Sequence, residues 1–243
     1  MTIDLQAELP KVLEWIKKTV GDATVVIGVS GGKDSSVAAA LCVKALGKDK
    51  VFGVLMPAHV QDDIDKSYLL VKTLDIKHVV VDIGDTYDAL TAKISAVMPG
   101  ELNLAYTSNT PARIRMMTLY GIGALLGNSR VVNTCNLSED YVGYSTKFGD
   151  AAGDFSPLSK FTAGEVMELG DLLGLPYELS HKVPSDGMCG KTDEDRFGFT
   201  YKVLDDYIRG RATPPQDIVE KIERMHRANL HKLLPMPVYP VGE

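Results

Sequence analysis

The stretch Gly28-Val29-Ser30-Gly31-Gly32-Lys33-Asp34-Ser35-Ser36 gathers glycines, hydroxyls, a lysine and a carboxylate in one short run. Glycines let a backbone approach a ligand closely, and the free N–H groups at a helix start favour an anion. Ser30, Ser35 and Ser36 add hydroxyl donors. The spacing is not that of a Walker P-loop: Gly28 and Gly32 enclose too few residues, and Asp34 stands where a Ser or Thr would follow the lysine. Nor is it the dinucleotide fingerprint G-x-G-x-x-G. Asp34 is the informative residue. A carboxylate beside a bound phosphate repels it unless a cation stands between them, and Mg2+ is commonly shared by carboxylates and phosphates. A glycine-rich turn in which Asp34 merely caps a helix is the competing account.

Such a loop needs a strand to deliver it and a helix to leave from it. Residues 24–30 (TVVIGVS) are a β-branched run, the pattern of a buried strand, and the Ala-rich residues 34–46 are helical, ended by Gly47. Further strands are expected over 51–56, 78–83 and 130–134, and helices over 5–19, around Ile64, Tyr68 and Val71, and over 85–97. Thr110-Pro111 reads as an N-cap with proline at the first helical position, opening a helix that runs to about Leu126. Apolar runs without alternation point to a parallel sheet covered on both faces. The expected fold is therefore α/β, a doubly wound parallel sheet with helices on both faces, and right-handed crossovers bring all strand C-termini to one edge. Residues 135–161 are rich in Gly, Ser and Asp and read as functional loops. Thr162-Ala163-Gly164-Glu165 is a capping box, 184–192 a lid-like loop, and Thr192 and Thr213 open caps for later helices. With no internal repeat or linker, residues 1–243 read as a single domain.

The net charge is −6 and the pI about 5.4. That balance argues against a general nucleic-acid partner, because phosphate backbones demand clustered Lys and Arg. No apolar run is long enough for a bilayer, and the start of the chain lacks the basic and apolar stretches of a signal peptide. Cys42, Cys135 and Cys189 are odd in number and unpaired in sequence, as expected of a reduced, cytoplasmic protein.

The S-G-G-x-D-S pattern of residues 30–35 resembles the pyrophosphate-binding loop of the N-type ATP pyrophosphatases, which split ATP between its α- and β-phosphates and transfer AMP to an oxygen. Later motifs narrow the resemblance. Arg113-Ile114-Arg115-Met116 is similar to the R-x-R-M of NAD synthetases, and Thr134-Cys135-Asn136-Leu137-Ser138-Glu139 to their T-x-N-x-S-E. Residues 143–150 (GYSTKFGD) resemble G-Y-x-T-K-Y-G-D, Lys182-Val183-Pro184-Ser185 and Thr192-Asp193-Glu194 resemble K-x-P-S and T-D-E, and His231-Lys232 matches an H-K near the C-terminus. The resemblance runs in order along nearly the whole chain and is to the ammonia-dependent NAD synthetases.

The resemblance implies an adenine-nucleotide alpha-hydrolase-like fold and the ATP-dependent amidation of deamido-NAD through an adenylate. It implies Mg2+ on Asp34 and Glu139, and ATP on residues 28–36, Met56, Thr134 and Ser185. Met56 reads equally as a core methionine. The dinucleotide falls to Arg115, Lys147, Asp154, His231 and Lys232. Arg113, two residues from Arg115, points elsewhere on a helix and reads as structural. Asp150 is the candidate to accept a proton from ammonium, against the alternative of a Gly-Asp turn. The family implies a homodimer, and the length leaves no room for a glutaminase domain, so free ammonia is the expected donor. One departure stands out. Many relatives carry a lysine directly after the threonine that opens the helix at 162, and this chain has Ala163. Lys160 is the candidate replacement, with Lys182 and Lys191 as alternatives and a solvated loop lysine as the plain account.

Overall fold

The computed structural model describes residues 3–181 and 193–241. The chain enters through α1 (Leu5–Val20), where the Asp4 carboxylate accepts the Ala7 N–H at 3.1 Å. There follow β1 (Thr24–Gly28), α2 (Lys33–Leu46), β2 (Val51–Leu55), α3 (Ile64–Leu74), β3 (Lys77–Val80), α4 (Gly84–Val97), α5 (Leu104–Leu126) and β4 (Ser129–Val131). The second half is helical: α6 (Leu137–Val142), α7 (Ala163–Leu172), α8 (Tyr177–Ser180), α9 (Asp193–Phe197), α10 (Tyr201–Ile208) and α11 (Gln216–Leu233). Among the described residues no helix is long and apolar enough to cross a membrane.

The strands pair in parallel in the order β3-β2-β1-β4, with Val26 opposite both Phe52 and Val131. Strand order reverses between β1 and β4. In an open α/β sheet the crevice beyond such a reversal is where ligands sit. The two segments that flank it are the 28–36 loop after β1 and the 132–139 stretch after β4.

The apolar run of β1 follows from two-sided burial. Val25 and Ile27 enter a core built with α1, α2 and α7, while Val26 enters the opposite core with Val54, Val131 and the α5 residues Ile114 and Leu119. Each such side chain withdrawn from water stabilises the fold by roughly 1.5–3 kcal/mol. A third cluster, with Val142, Phe197, Leu204 and Ile222, ties α6, α9, α10 and α11 together beside the crevice.

Several expected boundaries differ. The strands stop short of 30, 56, 83 and 134 because the chain leaves the ladder as it enters the crevice loops. α5 begins at Leu104, which puts Pro111 inside the helix. The Asn103 side chain caps it by accepting the Tyr106 N–H at 2.9 Å, and the Tyr106 hydroxyl lies 3.0 Å from Thr91 Oγ1 on α4. These contacts offset the backbone bond that the proline lacks. Residues 135–161 are not all loop, because α6 forms there on a capping box of Asn136 and Glu139. α11 starts behind Pro215 with no side-chain cap, so Thr213 does not serve as one.

Candidate active site

The loop after β1 is fixed from three sides. A Cβ on Gly28 would meet Met56 Cε at 3.2 Å. Gly31 has φ +71, and a Cβ there would lie 2.6 Å from Lys66 Cβ and 2.7 Å from the Ser67 nitrogen at the start of α3. Buried Ser67 donates its hydroxyl to the Val29 carbonyl at 3.1 Å, so loop and helix are stapled at their closest approach. Ser30 Oγ accepts the Gly32 N–H at 3.2 Å and lies 2.9 Å from Ser35 Oγ, while Ser36 Oγ donates to the Gly32 carbonyl at 2.7 Å. Gly32 caps α2 without a side chain, so the positive end of the helix faces the crevice.

Across the switch point Asp34 and Glu139 converge. Lys33 Nζ donates to Asp34 Oδ2 at 2.6 Å and lies 3.8 Å from Glu139 Oε1. Asn136 joins the two sides: its Nδ2 donates to Asp34 Oδ1 at 2.8 Å, its Oδ1 accepts the N–H groups of Ser138 and Glu139 at 3.0 Å, and its own N–H donates to Glu139 Oε2 at 3.3 Å. Two hard carboxylate oxygens thus reach one cation position, and that donor set fits Mg2+. Bound there, the ion would be held by Asp34 and Glu139 and would neutralise charge on phosphate oxygens.

A second acidic group gathers Asp150 and Asp140. The Asp150 carboxylate accepts the Thr146 N–H at 3.0 Å, and the Asp150 carbonyl accepts from Asn133 Nδ2 at 2.7 Å. Asp150 is exposed as a residue, with protein packed around its carboxylate. Burial pushes its carboxyl above the ordinary carboxylate range, against the opposing Thr146 bonds and the Lys232 charge. Burial also pushes Asp140 up to about 6, with Lys160 opposing and Asp150 adding to the rise. Lys232 is lowered by burial and raised in part by Asp150.

Lys147 and Lys232 share one cleft of about 300 Å3, lined also by Tyr120 and Phe148. Lys232 Nζ donates to the carbonyls of Gly143 and Ser145 at 2.7 and 2.9 Å, and Lys147 Nζ donates to the His231 carbonyl at 2.6 Å. The two lysines therefore tie the 143–147 loop to the end of α11. Phe148 sits at φ 64 with its ring 69 % exposed, under Lys147 Nζ at 5.4 Å. A non-glycine residue held at positive φ is characteristic of functional loops.

Other expected site residues are placed differently. Arg115 is half-buried and donates to the Met56 carbonyl at 3.0 Å, and desolvation lowers its guanidinium while Asp150 opposes. Arg113 turns to the Lys147 carbonyl at 3.2 Å, a structural role. The Met56 side chain is 7 % exposed in the core with Leu119, so it is a packing residue, and its carbonyl rather than its thioether meets a polar group. Asp154 accepts the Val131 N–H at 2.7 Å and the Tyr120 hydroxyl at 3.3 Å, and so supports the edge of β4. The exposed His231 ring bonds its own helix through the Ala228 carbonyl at 3.1 Å. Thr134 follows Asn133 in the half-buried segment leaving β4. Lys160 is exposed, and its carbonyl accepts from Arg209 Nη2 at 2.7 Å. Ala163 is 1 % exposed in the third cluster, so a lysine there would have to displace packed side chains. Ser185, Lys182, Lys191, Cys189 and the 184–192 loop lie outside the described residues. Cys42 and Cys135 are buried thiols; burial pushes Cys42 up to about 12 and Cys135 well above its ordinary value, so neither is a ready nucleophile.

Two site-building residues have no role among the sequence-based expectations. Asn136 bridges the carboxylate pair, and the signal that could have found it is its spacing to Glu139, that of an Asn/Glu capping box. Asp205 accepts from Ser138 Oγ at 2.5 Å and from the Gly164 N–H at 2.8 Å, and so joins α10 to α6 and α7. No local pattern announces a contact between residues so far apart in the chain.

The NAD synthase family model matches residues 7–236. The chain is 34 % identical to the NH(3)-dependent NAD(+) synthetase of Alkaliphilus oremlandii, with all of both chains covered. Among solved structures it is similar to the NMN synthetase from Francisella tularensis, at TM-score 0.89 and 32 % identity over 99 % of this chain and 100 % of that one. It is also similar to the NH3-dependent NAD synthetase from Campylobacter jejuni, at TM-score 0.80 and 28 % identity over 98 % and 100 %. With its switch-point loop, its carboxylate pair and these full-length likenesses, the chain belongs to the NAD synthase family.

Proposed function

We propose that this chain amidates deamido-NAD with ammonia at the expense of ATP. The nicotinate carboxylate attacks the α-phosphorus, pyrophosphate leaves, and ammonia then attacks the adenylated carbonyl to release AMP and NAD. The observation that carries this reading is the convergence of Asp34 and Glu139 at the switch point, beside a helix N-terminus that suits phosphate. A carboxylate that must approach a polyphosphate needs charge neutralised, and positioned cations and N–H donors do that without a protein nucleophile. Asp150 is assigned to attract ammonium and accept its proton; desolvation raises its carboxyl above the ordinary carboxylate range. Lys147 and Lys232, which share one cleft, are assigned to the dinucleotide, and Lys160 to charge that develops on the phosphates.

The working unit is assigned as a homodimer. α5 carries two charged residues: half-buried Arg115 donates to the Met56 carbonyl, and exposed Arg113 donates to the Lys147 carbonyl. Val97 and Met98 at the end of α4, with Leu104, Met117 and Leu125 on α5, are exposed large apolar residues. A second copy offers the same apolar face and satisfies a two-fold contact. The reduced thiols Cys42 and Cys135 support a cytoplasmic setting.

A second reading replaces the dinucleotide with nicotinate mononucleotide. It is favoured by the higher structural similarity to the Francisella NMN synthetase than to the Campylobacter NAD synthetase. The test is to supply each substrate with ATP, Mg2+ and ammonium and compare kcat/KM. The primary reading expects deamido-NAD to be the better substrate, AMP and pyrophosphate released in equal amounts, and glutamine inactive as donor. Preference for the mononucleotide would select the second reading, and release of ADP and phosphate would reject both.

A further inference from the structure

Lys33 occupies an unfavourable position. It is the first residue of α2, where an ammonium meets the positive end of the helix, and it is only 3 % exposed. Burying a lysine costs several kcal/mol unless an anion compensates. Here the compensation is the Asp34–Glu139 pair, with Nζ 2.6 Å from Asp34 Oδ2 and 3.8 Å from Glu139 Oε1, and the Tyr201 ring 5.6 Å away. The ammonium therefore stands where a divalent ion shared by these two carboxylates would stand. We propose that Lys33 is a tethered cation that holds the carboxylate pair together and competes with the divalent metal for it, so that the metal enters together with nucleotide polyphosphate. The proposal rests on the reading of Asp34 and Glu139 as metal ligands.

Two carboxylates this close repel each other unless a cation lies near, and a bare pair would collect divalent ions from solution without any nucleotide. A tethered competitor has a high effective concentration at its own site and lowers the apparent affinity of the free ion. A polyphosphate changes the balance. It brings negative charge that favours the ion, and it gives the lysine phosphate oxygens to bond, within reach of a flexible four-carbon stem.

The test is Mn2+ binding to the full chain without nucleotide, followed by calorimetry or by paramagnetic resonance of the free ion. Lys33→Gln should bind Mn2+ at least about tenfold more tightly than the unaltered protein, and Asp34→Asn at least about tenfold more weakly. The melting temperature of Lys33→Gln should fall below that of the unaltered protein in chelator and be raised more by saturating Mn2+. If Asp34→Asn binds like the unaltered protein, the metal reading fails and the proposal with it. If Asp34→Asn weakens binding while Lys33→Gln binds equally or less tightly, the role of the lysine alone is overturned. Should Lys33→Gln not fold, modification of Lys33 by an amine-reactive reagent in the unaltered protein decides the matter. Faster labelling in Mn2+ than in chelator is expected, and equal labelling overturns the proposal.

Discussion

Replacing Gly31 by alanine should damage the phosphate loop far more than the same change at its neighbour Gly32. Gly31 sits at φ +71, a conformation that costs an alanine roughly 1–2 kcal/mol. The new Cβ would also lie 2.6 Å from Lys66 Cβ and 2.7 Å from the Ser67 nitrogen, and neither neighbour is the free end of a flexible side chain. The loop must therefore lift from α3. That strains the Ser67 to Val29 hydrogen bond, worth about 1 kcal/mol, and the repacking costs about 1–3 kcal/mol more. Together the loss is about 3–6 kcal/mol, which for a domain of this size lowers the melting temperature by roughly 10–20 °C. At Gly32 an added Cβ meets only Ser30 Oγ, at 3.3 Å, and its φ of −80 suits any residue, so the cost there stays below about 1 kcal/mol. Thermal denaturation of both variants, with KM for ATP measured below the transition, checks this. A Gly31→Ala protein that melts with the unaltered chain and keeps its KM for ATP would refute the packing argument.

Asp34→Asn and Glu139→Gln should each abolish adenylation while the far-UV spectrum stays native; unaltered turnover in either variant at limiting Mg2+ would remove the carboxylates from the reaction. Lys160→Ala is expected to lower kcat/KM for ATP at least tenfold, about 1.4 kcal/mol of transition-state stabilisation; an unchanged value would assign Lys160 to the solvated surface. Asp140 titrates near 6 in the fold against an ordinary 3.8, so the folded chain keeps the proton that the unfolded chain releases. Stability contributed by this group therefore declines as pH rises between those values and stays lower above them. Solvent access to the group reduces the effect to on the order of 1 kcal/mol. Asp140→Asn should accordingly be more stable than the unaltered protein at neutral pH and equal to it below about pH 3.5; denaturant midpoints that do not separate with pH would contradict the shift.

The parallel sheet and the loop after β1 are legible in the sequence because two-sided burial writes itself as runs such as TVVIG, and a strand-to-helix turn needs Gly31. Asp34 can be singled out because it sits in that loop, whereas Glu139 stands out only through the resemblance of residues 134–139 to T-x-N-x-S-E. Legibility stops where tertiary contacts decide. Pro111 looks like a helix start, but Asn103 and the Tyr106–Thr91 contact extend α5 past it. Met56 directly follows β2, and its side chain fills the space that Gly28 leaves beside Leu119, a packing contact that the sequence does not announce. Asp154 accepts a backbone bond at the edge of β4 and His231 bonds its own helix, contacts that no local pattern in the sequence announces. The Asp205 link from α10 to α6 and α7 joins distant positions through single hydrogen bonds, which leave no periodic trace in sequence.

The central claim is that a substrate carboxylate is adenylated at the switch-point crevice. Deamido-NAD carrying heavy oxygen in its nicotinate carboxylate tests it most directly. After turnover with ATP, Mg2+ and ammonium, the account predicts one labelled oxygen in the phosphate of AMP and none in pyrophosphate. AMP free of label, or label in any other phosphate, would contradict it.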